Sequence, residues 1–223
     1  MIGEKLKIEK TWQEYWKRHK NHPYGMCFAN DELKKFYVNI PKNATNWGKT
    51  AFDENLEWRE TNYHDEKLLK QGYEAIVFLR DPLDRWCSGM AEYISRYGYN
   101  TKTFILQLEK QRLAGEIINT TIAFDEHTVE QVTFLEGLDT DKTTWFKVES
   151  DLNQNVADYV RRVLGVENEL QGIESMYATT SAKAKIKQWF QTNIGRFTRL
   201  EKHYELDTEL YNSVKYYIRE DKD

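Results

Sequence analysis

The sequence predicts an α/β fold, an open parallel β-sheet flanked by helices with a helical C-terminal part, on three observations. Two short runs, Phe36-Tyr37-Val38-Asn39-Ile40 and Ala75-Ile76-Val77-Phe78-Leu79, read as buried parallel strands, since a strand covered on both faces has little polar side to alternate with. Each run ends at a proline-containing turn and leads into a helix-compatible segment, about 46–55 and about 83–97, which is the βα pattern of a parallel sheet. After Val148 the pattern is helical: 153–164 closes at Gly165, and 182–219 holds two or three helices broken near 193–195 and near 207.

Weaker strands are expected at 57–62 and 144–148. Near the start, Leu6, Ile8, Trp12, Tyr15 and Trp16 form an imperfect helical stripe, which assigns both tryptophans to packing. Nothing repeats at a fixed period, and 3 prolines with 11 glycines leave no linker, so a single domain over 1–223 is expected.

A 40% hydrophobic and 14% aromatic chain of 223 residues is rich enough for one core and excludes a disordered chain. Its 32 Lys+Arg against 36 Asp+Glu, a net charge of −4, give no global attraction to nucleic acid or an anionic membrane. No apolar run reaches the roughly 18–20 residues that span a bilayer, and the first residues are charged, so a cytoplasmic protein without a membrane anchor is expected. Cys27 and Cys87 show no CxxC spacing, which favours two reduced, partly buried thiols over a disulfide scaffold or a cysteine metal site.

Ligands of open α/β sheets bind beyond the carboxyl ends of the strands, which directs attention to the segments after Ile40, Asn62, Leu79 and Val148. After the first run comes Pro41-Lys42-Asn43-Ala44-Thr45-Asn46-Trp47, a small polar turn with a lysine at a helix start. Such a turn aims N–H groups and an ammonium at a phosphate-like anion; alternatively, Asn43, Thr45 and Asn46 are ordinary helix N-caps. Gly48-Lys49-Thr50 imitates the end of a Walker A motif, but Asn43 stands where its first glycine belongs. After the second run a cation, Arg80, replaces the carboxylate of a magnesium-binding strand. Arg80 therefore points to an anion, with Ser88 one to two helical turns later; a salt bridge to Asp81 or Asp84 is the structural alternative.

Together, FYVNIPKNATNWGKTAF and IVFLRDPLDRWCSGMAEYI resemble the sulfotransferases that use 3′-phosphoadenosine 5′-phosphosulfate (PAPS), especially the carbohydrate-modifying branch. The likeness continues in Asp125-Glu126-His127 with Gln131, a D-x-H-like segment. It extends through Phe146-Lys147-Val148-Glu149-Ser150-Asp151-Leu152, Leu164-Gly165-Val166 and His203-Tyr204-Glu205-Leu206-Asp207, so that it covers roughly 34–215. It departs from the family at Ala44 and Asn46, and at Thr128 and Glu130, where the family has tryptophan and proline.

The resemblance implies a P-loop NTPase-like sheet and a sulfuryl transfer from PAPS to a saccharide or similar hydroxyl, leaving 3′,5′-ADP and requiring no metal. It makes the 41–47 turn, with Lys42, Asn43, Ala44, Thr45, Asn46 and Trp47, the phosphosulfate loop, in which Lys42 meets the bridging oxygen and Thr45 the 5′-phosphate. It pairs Arg80 with Ser88 on the 3′-phosphate and gives Thr180 and Lys183 to a late loop over that phosphate, for which a solvated helix start capped by Ser181 is the alternative. The general base is His64 by its place in the family order, then His127, with Glu60 third. A P-loop nucleotide or small-molecule kinase and a non-catalytic PAPS-binding module are the competing functions; the acceptor and oligomeric state stay open.

Overall fold

The structure, a computed structural model, describes residues 26–63, 66–96, 125–167, 170 and 181–220. The stripe near the N-terminus lies outside them. The described residues of Met1–Arg80, Gln131–Met176 and Ser213–Asp223 form one compact unit, and those of Asp81–Glu130 and Tyr177–Asn212 a second.

The first unit carries a five-stranded open sheet in the order β3-β1-β2-β4-β5. Its strands are β1 (Met26–Asn30), β2 (Lys35–Val38), β3 (Arg59–Asn62), β4 (Glu74–Leu79) and β5 (Thr144–Lys147). β2, β4 and β5 run parallel, as the apolar runs imply. The sheet is nevertheless mixed rather than all-parallel, because β1 is antiparallel to both β2 and β3. The cause is local: Asn30 Oδ1 accepts the N–H groups of Glu32 and Leu33 at 3.0 and 2.9 Å, an Asx turn that folds β1 back onto β2 as a hairpin.

The strands present aromatic rings to one core. Tyr37 stacks on Phe52 at 4.6 Å, packs against Phe78 at 4.7 Å, and Phe78 meets Phe146 edge-on at 5.7 Å. Offset and edge contacts of this kind add about 0.5–1.5 kcal/mol each beyond area burial. Covering this layer are α1 (Thr45–Lys49), continued as a wider π-helical turn over Thr50–Asn55, and helix Leu152–Arg162, which brings Val156, Tyr159 and Val160. Beyond β5, Tyr217 N donates to Trp145 O at 2.8 Å, so the C-terminal segment covers the outer edge of that strand.

The second unit contains α2 (Pro82–Arg96), α4 (Ser181–Thr192), α5 (Leu200–His203) and most of α6 (Glu205–Ser213); the helix over Leu152–Arg162 is α3. Trp86, Cys87 and Met90 of α2 pack with Ile186 and Phe190 of α4 and with Phe197, Leu200 and Tyr204. Ion pairs Lys183–Glu92 at 2.6 Å and Lys187–Asp84 at 2.8 Å join α4 to α2. The helical break expected near 207 lies three residues earlier, at Tyr204, which leaves helical geometry with its ring fully buried, whereas Asp207 is buried inside α6.

Both cysteines are free and buried, and burial pushes the Cys27 thiol up to about 12, so it is protonated at neutral pH. Among the described residues no helix is long and apolar enough to cross a membrane.

Candidate functional site

β2 stops pairing with β4 at Val38, and the chain turns through Pro41–Ala44 into α1. Two non-glycine residues of this turn have left-handed backbone, Lys42 at φ 70° and Ala44 at φ 56°. Each costs about 1–2 kcal/mol relative to right-handed geometry, which the surrounding contacts must offset. A left-handed residue followed by the right-handed Thr45 turns successive N–H groups to one side, the concave arrangement that receives anions.

None of the three polar residues that suit an N-cap serves as one. The N-cap is Ala44, with no side-chain hydrogen bond to the helix. Thr45 Oγ1 donates backwards to Ile40 O at 2.9 Å, Asn43 is engaged elsewhere, and Asn46 is exposed. The first N–H groups of a helix have no intrahelical acceptor, so this end offers its own backbone to water or an anion.

The end of β4 completes the arrangement. Even-numbered residues of β4 turn their main-chain groups towards β2, as Glu74 N to Lys34 O at 2.9 Å shows. Once β2 has left, side-chain amides take its place. Asn43 Nδ2 donates to Phe78 O at 2.7 Å, and the Gln131 amide pairs with both main-chain groups of Arg80, Nε2 to O at 2.9 Å and Oε1 from N at 3.1 Å. Asn43 Nδ2 also donates to Gln131 Oε1 at 2.6 Å. From this fixed point the Arg80 guanidinium reaches back to the turn, Nη1 donating to Lys42 O at 2.8 Å. Lys42, Asn43, Ala44, Thr45 and Arg80 are thereby brought together, while the part taken by Gln131 has no local sequence signal beyond its place in the D-x-H-like segment.

Trp47 packs on Phe78 at 5.7 Å, and its buried indole N–H has no hydrogen-bond partner among the described residues. Gly48 passes so close to the core that a Cβ there would lie 2.3 Å from Tyr37 Oη. Lys49 pairs with Asp53 at 3.9 Å, and Thr50 O accepts from Asn55 Nδ2 at 2.7 Å; both lie within the helical segment rather than in a phosphate turn.

The other candidates belong elsewhere. His64 and Thr180 lie outside the described residues. Glu60 is exposed on β3. Ser88 is half-buried on α2, and Lys183 is in its ion pair with Glu92. His127 sits in the second unit, 8% exposed, with Nδ1 3.1 Å from Asp125 Oδ2 and 3.2 Å from Glu126 Oε1. Two carboxylates at Nδ1 favour the tautomer that carries its proton there, which makes Nε2 the basic atom. The same three residues have candidate ligand atoms within 4.8 Å of one another, and they are the residues among those described that could share a cation.

The segment bearing His127 is held by its own buried cation. Arg85, 0% exposed, donates from Nη2 to Glu126 O at 3.1 Å and from Nη1 to Val129 O, while Tyr204 donates to Thr128 O. Burial raises the Tyr204 phenol well above its usual range, so it stays a donor throughout the physiological range. No protein-family model, curated protein or solved structure matches the chain.

Proposed function

We propose that this chain is a PAPS-dependent sulfotransferase that modifies a hydroxyl of a saccharide or similar acceptor, on a P-loop NTPase-like sheet and in the cytoplasm. The observation that carries the proposal is the uncapped N-terminus of α1, preceded by the left-handed Lys42 and Ala44 and bonded to Arg80 from the neighbouring strand. A turn that accepts strain at two non-glycine residues and leaves its helix without a side-chain cap is suited to an anion. The residue after the strand is a cation, so the donor set suits phosphate and sulfate oxygens better than a magnesium ion.

In this account PAPS supplies a sulfuryl group on a phosphate leaving group. The acceptor oxygen forms a bond to sulfur as the sulfur–oxygen bond to the 5′-phosphate breaks, and the hydroxyl proton passes to a base on the protein. Lys42 and the N–H groups at the start of α1 neutralise charge growing on the departing oxygen. Thr45, whose hydroxyl donates to Ile40 O, retains lone pairs and can turn its proton towards the 5′-phosphate. Arg80 holds the 3′-phosphate. The roles of Ser88, Thr180 and Lys183 in gripping the donor, and of His64 or His127 as base, follow from the family resemblance.

Radiolabelled PAPS with a panel of mono- and oligosaccharides is the direct test. Sulfated product is expected, and Lys42→Ala should lower turnover by about 10²–10³ while the fold is kept. Binding of 3′,5′-ADP without transfer to any acceptor favours a binding module instead; magnesium-dependent ATP turnover would replace the proposal with a kinase.

A further inference from the structure

The geometry points to Gln131 as the positioning residue that holds Arg80 against the anion turn, an inference that rests on the donor reading of that turn. Gln131 is 0% exposed and lies at the start of a tight 3₁₀ turn, Gln131–Phe134, all four residues of which are buried. Its orientation is dictated: Oε1 must face the two donors, Arg80 N and Asn43 Nδ2, and Nε2 must face Arg80 O. A glutamate would place an acceptor against Arg80 O, and an alanine would leave buried amide groups without their partner.

The consequence is directional. Main-chain groups of a residue just past a strand end ordinarily lose their ladder partner and gain freedom, and with it the side chain swings. Here the carboxamide of Gln131 acts as one more residue of the departed β2, so Arg80 is held in strand register one position beyond Leu79. Asn43 ties the same carboxamide to the turn and to Phe78 O. Lys42 O accepts from the Arg80 guanidinium, which closes a ring from turn to strand and back to turn. Gln131 is thus placed to act through the two residues it holds, Arg80 and Asn43.

The test is calorimetry of the full chain with 3′,5′-ADP, together with amide hydrogen exchange. Gln131→Ala is expected to weaken 3′,5′-ADP by about tenfold, whereas in an Arg80→Ala background the same change should cost no more than about twofold, because coupled residues are non-additive. Equal losses in both backgrounds, or wild-type affinity in a folded Gln131→Ala protein, overturn the inference while the donor reading stands. Absence of binding by the unaltered chain overturns the donor reading and the inference with it. Should the variant not fold, exchange on the unaltered chain decides: Arg80 N–H protected like the amides of Ile76 and Phe78 supports the clamp, and free exchange at Arg80 overturns it.

Discussion

Arg80 and Arg85 stand five residues apart, and each donates to the carbonyls of an irregular segment, yet the two segments are built differently. Arg85 is wholly buried and spends its guanidinium on Glu126 O and Val129 O, so the cation serves as an internal brace for the segment that carries His127. Arg80 is half-buried, bonds to a turn that holds two left-handed non-glycine residues, and is itself held by a side-chain amide. A cation buried among carbonyls reports on architecture. A cation bonded to a strained, uncapped turn is, in the proposed function, set to meet an anion.

That contrast breaks first if the two arginines prove equivalent in stability. Arg85→Met removes a buried charged donor from carbonyls that cannot reach water, and should cost about 3–5 kcal/mol in urea unfolding. Arg80→Ala should cost less, about 1 kcal/mol, because water can reach the half-buried site and replace its bond to Lys42 O. Similar losses from both would remove the distinction.

Two glycines, Gly89 against the His127 segment and Gly48 in α1 against Tyr37, sharpen it next. A Cβ on Gly89 would lie 2.1 Å from His127 O, a backbone atom with little room to move, whereas one on Gly48 would meet the hydroxyl of Tyr37 at 2.3 Å. Both substitutions overpack, by about 1–3 kcal/mol, and Gly89→Ala should be the more costly in thermal unfolding. Gly48→Ala should in addition weaken anion binding, since the helix it moves begins at the turn; a pure stability loss there would count against the turn as a site.

The smallest effect lies away from both segments. Hydrogen bonds from the Arg59 guanidinium hold the Asp31 and Glu66 carboxyls below their usual range, at side-chain exposures of 56% and 39%. Because both folded-state values are depressed, this stabilisation is complete above about pH 4–5 and is lost as pH falls through the lower folded values. Solvent screening limits it to below about 1 kcal/mol. Arg59→Ala should flatten the acid limb of a stability–pH curve without altering ligand binding.

The parallel strands and α2 were legible because buried apolar runs and a proline at a helix start are local signals. β1 was not: its apolar run, Met26 to Ala29, is short and holds no β-branched residue, and its pairing depends on the Asn30 side chain folding the chain back. The break at Tyr204 escaped because aspartate in a helix suggests an end, whereas Asp207 is buried within α6 and it is the buried ring at 204 that interrupts the helix. At the site, Lys42 and Arg80 stand next to strand ends where sequence rules look for ligands. Gln131 lies 51 residues from Arg80 in the chain, and only the fold places its amide where a strand has left.

The most direct measurement is a calorimetric titration of the full chain with 3′,5′-ADP, repeated on Arg80→Ala. One saturable site is expected, weakened about 10- to 100-fold in the variant, the equivalent of one charge-assisted contact. No binding to the unaltered chain, or the same affinity in both proteins, would contradict the assignment of the β2 turn and Arg80 to an anionic donor.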